Sequence, residues 1–182
     1  MSYVTKSPWI IHYDGSSCNG CDIEVLACLM PMYDVERFGI INTGNPKHAD
    51  IFLVTGSINE QNVSVVKQIY DQMPEPKIVV AIGICATSGG IFRECYNIRG
   101  GVDTVIPVDV YVPGCAARPE AIIDGVVKGL GVLGEKKANM TKNKGQVMTE
   151  PVLPEAETPI DVNVFGKTDE TPDEGGEKEE SQ

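Results

Sequence analysis

Four cysteines stand where short apolar runs end, and this placement constrains the fold more than any other feature of the chain. Cys18 and Cys21 lie in Asp14-Gly-Ser-Ser-Cys18-Asn-Gly-Cys21-Asp-Ile-Glu24, just after the β-rich run Trp9-Ile-Ile-His-Tyr13. Cys85 ends Ile78-Val-Val-Ala-Ile-Gly-Ile-Cys85, and Cys115 follows Val105-Ile-Pro-Val-Asp-Val-Tyr-Val-Pro-Gly. In an open α/β sheet, ligands collect beyond the carboxyl ends of the strands. A parallel sheet built from these runs would therefore carry all four thiols to one rim.

The intervening segments support such a sheet. Ala49-Asp-Ile-Phe-Leu-Val-Thr-Gly56 and Lys77–Ile84 are continuous apolar runs, the pattern of strands buried on both faces. Val35–Ile41 and Val105–Val112 read as further strands, with Asn42-Thr-Gly-Asn-Pro46 breaking the chain between elements. Helices are expected from about Cys21 to Met30, from Asn59 to Met73, and from Arg118 to about Leu133. The first has Asp22 and Glu24 near its start, where the helix dipole favours acids, and the last has Pro119 in its first turn. Residues 86–104 are Gly-rich and read as irregular. Strand and helix alternate, which predicts an α/β sandwich with a mainly parallel sheet.

The chain has 182 residues, 42% of them apolar, enough for one domain with a real core. We place that domain at residues 1–138 and an acidic tail at 139–182, extended or disordered. From Glu150 onward eleven acids face two lysines, so the net charge of −11 sits mostly in the tail and the body is within two charges of neutral. Val152-Leu153 and Ile160–Phe165 are apolar for a solvated tail, and an arm docking on a partner subunit is the alternative to random coil. The charge argues against nucleic acid, whose phosphates demand clustered Lys and Arg. No stretch reaches the eighteen or so apolar residues of a membrane span, and the N-terminus lacks the apolar core of a secretory signal, so the expected address is cytoplasmic.

Six cysteines in such a chain read as metal ligands or reactive thiols before disulfides. Lone thiols at 85 and 115 beside a C-x-x-C favour one [4Fe–4S] cluster on Cys18, Cys21, Cys85 and Cys115, since four thiolates are its usual ligand set. Zinc more often takes paired knuckles, and a thioredoxin-like dithiol at Cys18/Cys21 leaves Cys85 and Cys115 unexplained. Zinc, a dithiol and unrelated core cysteines stay as rivals. Cys28 reads as a small core residue, Cys95 has no matching partner, and His12 reads as core or interface.

The stretch Gly101-Val-Asp103-Thr-Val-Ile-Pro107-Val-Asp109-Val-Tyr-Val-Pro113-Gly-Cys115-Ala-Ala-Arg118-Pro-Glu120 resembles the signature of the cluster-bearing 20-kDa subunit of respiratory complex I and the small subunits of energy-converting [NiFe] hydrogenases. Gly83-Ile-Cys85-Ala-Thr-Ser-Gly89-Gly90 is similar to the matching segment, and the likeness covers roughly residues 8–135. Complex I subunits carry adjacent cysteines at the first position. Here Cys18-Asn-Gly-Cys21 is followed by Asp22-Ile-Glu24, as in the hydrogenase-type members, and Ala116-Ala117 replaces the usual Pro-Pro or Pro-Thr. The resemblance implies a flavodoxin-like three-layer fold with a single proximal [4Fe–4S] cluster on the four cysteines. It implies an electron-transfer subunit, not catalytic alone, of a membrane-anchored, ferredoxin-linked hydrogenase that evolves H2 and translocates ions. Its partners would be a [NiFe]-type large subunit, a ferredoxin-like cluster subunit and membrane-arm subunits, placing it peripherally on the cytoplasmic face of the membrane. The equivalent subunit of a sulfane sulfur reductase or a quinone-reducing complex is the alternative, and a zinc-stabilised scaffold a second. Glu24 is a candidate proton relay or a dipole-stabilising acid. Arg93, Arg99 and Arg118 are candidates to neutralise cluster charge or to bind partner acids.

Overall fold

The computed structural model describes residues 7–143. Its strands are β1 (Trp9–Asp14), β2 (Ile41–Asn42), β3 (Ile51–Thr55), β4 (Ile58–Asn59), β5 (Ile78–Ile82), β6 (Ile98–Gly100) and β7 (Val110–Val112). Its α-helices are α1 (Gly20–Ala27), α2 (Val63–Gln72), α3 (Gly83–Ser88) and α4 (Pro119–Asn143). Five strands form one parallel sheet in the order β2-β1-β3-β5-β7. Counted within that sheet this is 2-1-3-4-5, the flavodoxin-like order. β4 and β6 make a separate antiparallel pair.

The apolar runs explain the three layers. Alternate residues of a strand point to opposite faces, and every residue of β3 and β5 is buried. Ile51, Leu53, Ile78, Val80 and Ile82 face α1 and α4, where they meet Val25, Ile122, Val126 and Leu133. Phe52, Val54, Val79 and Ala81 face the opposite side, against Val66, Met73, Ala86 and Val102. α4 lies close on the sheet because it turns glycines toward it: a Cβ on Gly129 would stand 2.6 Å from Ile78 Cδ1, and one on Gly125 would collide with Val112.

Several expected boundaries shift, each for a local reason. Val35–Ile41 is not a strand: Val35–Phe38 forms a 3-10 turn and only Ile41–Asn42 pairs with β1. Asp34 (φ 44°) and Gly39 (φ 80°) are left-handed at both ends of that turn, which a strand cannot accommodate. The second helix begins at Val63, because Asn59 is in β4 and its side chain accepts the Asn62 N–H at 2.7 Å. β5 ends at Ile82, where Gly83 (φ 84°) turns the chain into α3, so Cys85 lies on a helix rather than at a strand end. Only Val110–Val112 of the Val105–Val112 run pairs with β5. Pro107 lacks the N–H that a ladder needs, and Val102–Thr104 is a 3-10 turn. The last helix continues past Leu133 to Asn143, so residues 139–143 are helical rather than extended. The rest of the expected tail, from residue 144, lies outside the described residues.

Candidate functional site

The strand register sets the rim. Asp14 pairs with Thr55, Thr55 with Ile82, and Ile82 with Val112, so the four carboxyl ends stand in one row. Cys18, Cys85 and Cys115 follow that row by four, three and three residues, and Cys21 is in the first turn of α1. Four thiols far apart in sequence therefore reach one edge of the sheet.

Hydrogen bonds fix the first of these loops. Gly15 N–H donates to Thr55 O at 2.9 Å, while Ser16 and Ser57 exchange N–H···O bonds of 2.9 and 3.0 Å. The Asn59 amide donates to Ser16 Oγ at 2.5 Å. Asn19 then adopts a left-handed conformation (φ 62°) and leads the chain into α1. The loops of Cys85 and Cys115 are joined directly, with Ile84 N–H donating to Gly114 O at 2.9 Å. The Cys115–Ala116 peptide is cis.

The thiols pack on bare backbone. A Cβ on Gly83 would stand 2.5 Å from Cys21 Sγ, inside any real contact, so only glycine lets that sulfur lie against the start of α3. A Cβ on Gly20 would meet Cys18 Sγ at 3.4 Å and Ala116 Cβ at 3.5 Å, which places the first loop beside the third. Cys18 and Cys115 are exposed, whereas Cys21 and Cys85 are half-buried. Burial pushes the Cys21 thiol up; an N–H from Ala117 offsets this, and negative charge at Cys18, Cys115 and Glu24 adds to it. Burial also raises Cys85, reinforced by charge at Cys115, Cys21 and Cys18. All four sulfurs thus lie within electrostatic reach of one another. Among the described residues, no three Cys, His, Asp or Glu side chains are grouped tightly enough to hold a single metal ion.

Cys28 is buried against Pro119 O and Glu24 O in the core. Cys95 is exposed and borders a surface hollow with Ser16, Asn59 and Tyr96. Glu24 is half-buried on α1 and acts electrostatically on Cys21. Arg99 Nε donates to Glu60 Oε1 at 2.7 Å, which already partners its charge, whereas Arg93 and Arg118 are exposed.

The sequence reading missed a polar network beside this rim. His12 Nε2 lies 3.1 Å from Thr55 Oγ1 and 3.3 Å from Asp22 Oδ1, and Thr55 Oγ1 donates to Asp14 Oδ1 at 3.2 Å. A polar residue closing a buried apolar strand, as Thr55 does, was the available signal; its partners emerge only from the register.

Apolar side chains remain uncovered on the cysteine-bearing segments. Ile23 on α1 and Ile91 after α3 are 63% and 87% exposed, and Ile84 and Tyr96 join them. No described helix is long and apolar enough to cross a membrane.

Comparison with known proteins agrees with this architecture. The family described as "NADH ubiquinone oxidoreductase, 20 Kd subunit" matches residues 18–129. A probable membrane-bound hydrogenase subunit of Pyrococcus furiosus is 51% identical over 142 residues, 78% of this chain and 83% of that one. An NADH-quinone oxidoreductase subunit of Clostridium beijerinckii is 51% identical over 114 residues, 62% and 66% of the two chains. Among solved structures, a chain of the membrane-bound sulfane sulfur reductase, an archaeal respiratory membrane complex, superposes with a TM-score of 0.65 at 35% identity, covering 81% of this chain and 88% of that one. With more than half of its length matched, the chain belongs to the family of the 20-kDa subunit of NADH:ubiquinone oxidoreductase, whose members are subunits of oxidoreductase complexes.

Proposed function

We propose that this chain is the electron-transfer small subunit of a membrane-anchored, ferredoxin-linked [NiFe] hydrogenase complex, holding one [4Fe–4S] cluster on Cys18, Cys21, Cys85 and Cys115. The observation that carries this is the meeting of four thiols from three loops at one rim, in a chain half identical to a probable membrane-bound hydrogenase subunit. When bound, the cluster supplies a one-electron carrier.

The chain's own residues fit that group. Four thiols are the usual donor set, and ligands of a cuboidal cluster stand further apart than those of a single ion, which suits the spacing seen. The Ala117 N–H aimed at Cys21 favours the thiolate, as hydrogen bonds to ligand sulfur do in such sites. Gly83 gives that sulfur room, and half-burial of Cys21 and Cys85 keeps water off one side of the site. Cys18 and Cys115 stay exposed among uncovered Ile23, Ile84 and Ile91, a surface that suits a large partner subunit, to which electrons pass. Glu24, beside Cys21, is placed to hold and pass a proton toward that partner. The chain lies peripherally on the cytoplasmic face of the membrane, held by partner subunits.

A second reading is favoured by the fit to the sulfane sulfur reductase chain: the same small subunit in a complex that reduces sulfur instead of protons. The purified complex separates the two. Nickel in the co-purifying large subunit, with H2 evolved from reduced ferredoxin, supports the hydrogenase. Sulfane sulfur reduction without nickel supports the alternative, and stoichiometric zinc in this chain overturns both.

A further inference from the structure

His12 sits where strand, helix and cysteine loop meet, and the proposed function gives it no role. It is in β1, on the face that carries Ile10 toward α1, and its side chain is only 10% exposed. The register places Leu53 opposite His12 and Thr55 opposite Asp14, so Thr55 is its diagonal neighbour on the same face. The Thr55 hydroxyl has one proton and donates it to Asp14 Oδ1, so its oxygen accepts from His12 Nε2–H. Nε2–H also lies 3.3 Å from Asp22 Oδ1, in the same helical turn as Cys21. Nδ1 is then the nitrogen left to bind a second proton.

Resting on the cluster reading above, we propose that His12 is the redox-linked proton acceptor of this site: Nδ1 takes up one proton when one electron enters, and releases it when the electron leaves. The electron comes from a low-potential one-electron donor and the proton from water, so the added negative charge is balanced by one imidazolium.

The surroundings are poised for such an exchange. Burial disfavours the imidazolium and pulls the His12 pKa below its usual value, while Asp22 from α1 and Asp14 from the same strand oppose that pull. β3 contributes only the neutral Thr55 hydroxyl. With the ring neutral in the oxidised state at pH 7, one further negative charge at the neighbouring thiolate site is what tips the balance toward protonation. Asp22 holds the ring in the tautomer that leaves Nδ1 open, and so acts as a positioning residue.

The test is a potentiometric titration of the purified complex, followed by EPR from pH 5 to 8. A one-proton, one-electron couple shifts by about 59 mV for each tenfold change in proton activity. The wild type should show that slope over part of the range. His12→Gln should show a flat profile with iron and acid-labile sulfide unchanged. If His12→Gln does not assemble, Asp22→Asn should keep the slope but move it to lower pH, because the carboxylate that favours the imidazolium is gone. A flat wild-type profile, an unaltered slope in His12→Gln, or an unmoved range in Asp22→Asn overturns the inference. Absence of cluster iron from the wild type overturns instead the reading on which it rests.

Discussion

Gly83→Ala is the sharpest structural probe of the site. Gly83 has φ +84°, a region where an L side chain costs about 1–2 kcal/mol. The added Cβ would also lie 2.5 Å from Cys21 Sγ. An ordinary contact is roughly 3.5–4 Å, so the thiol must retreat by about 1 Å or α3 must tilt away. Overpacking of this kind costs about 1–3 kcal/mol, and the two contributions together come to about 2–5 kcal/mol. With a urea m-value of about 1–3 kcal/mol per molar, the midpoint should fall by about 1–2 M. Because the retreating atom is a proposed ligand, bound iron should fall with it. Urea unfolding followed by circular dichroism gives the first quantity, and iron content after anaerobic purification the second. Unchanged stability together with full iron would refute the packing of Cys21 on Gly83.

Other substitutions test separate parts of the account. Gly131 and Gly134 lie in α4 with open space where a Cβ would go. Alanine at either should therefore raise stability by about 0.4–1 kcal/mol, read as a higher urea midpoint, and leave the site untouched. Burial holds the Cys28 thiol up at about 11, against 9.0 when free. Between those values the unfolded chain sheds a proton that the folded chain keeps, so stability is full below pH 9 and falls as pH rises toward 11. Cys28→Ala should lose some packing at pH 7 but show a shallower alkaline decline, and parallel curves would contradict the assignment. Glu24→Gln in the assembled complex should slow H2 evolution while leaving iron content intact; unchanged turnover would remove Glu24 from the proton path.

Much of this architecture was legible in the sequence because burial on both faces leaves a plain mark. Ile51–Val54 and Ile78–Ile82 read as strands directly, and their order along the chain already implied a parallel sheet. The cysteines were legible because each follows such a run. What escaped depended on single residues or on partners distant in sequence. Asp34 adopts a left-handed conformation that its side chain does not announce, and it turned an expected strand into a 3-10 turn. The β4–β6 pair rests on strands of two and three residues, too short for any alternation to show. α4 outran its apolar stripe because Glu135-Lys-Lys-Ala138 are good helix formers that need no burial. The His12–Thr55–Asp14–Asp22 network joins β1, β3 and α1, and only the register brings it together.

The most direct measurement is iron, acid-labile sulfide and zinc per chain in the anaerobically purified complex, for the wild type and for Cys85→Ser and Cys115→Ser. The account predicts about four irons and four sulfides per site, with a reduced-state EPR signal that both substitutions abolish. Stoichiometric zinc in the wild type, or iron and signal that survive both substitutions, would contradict it.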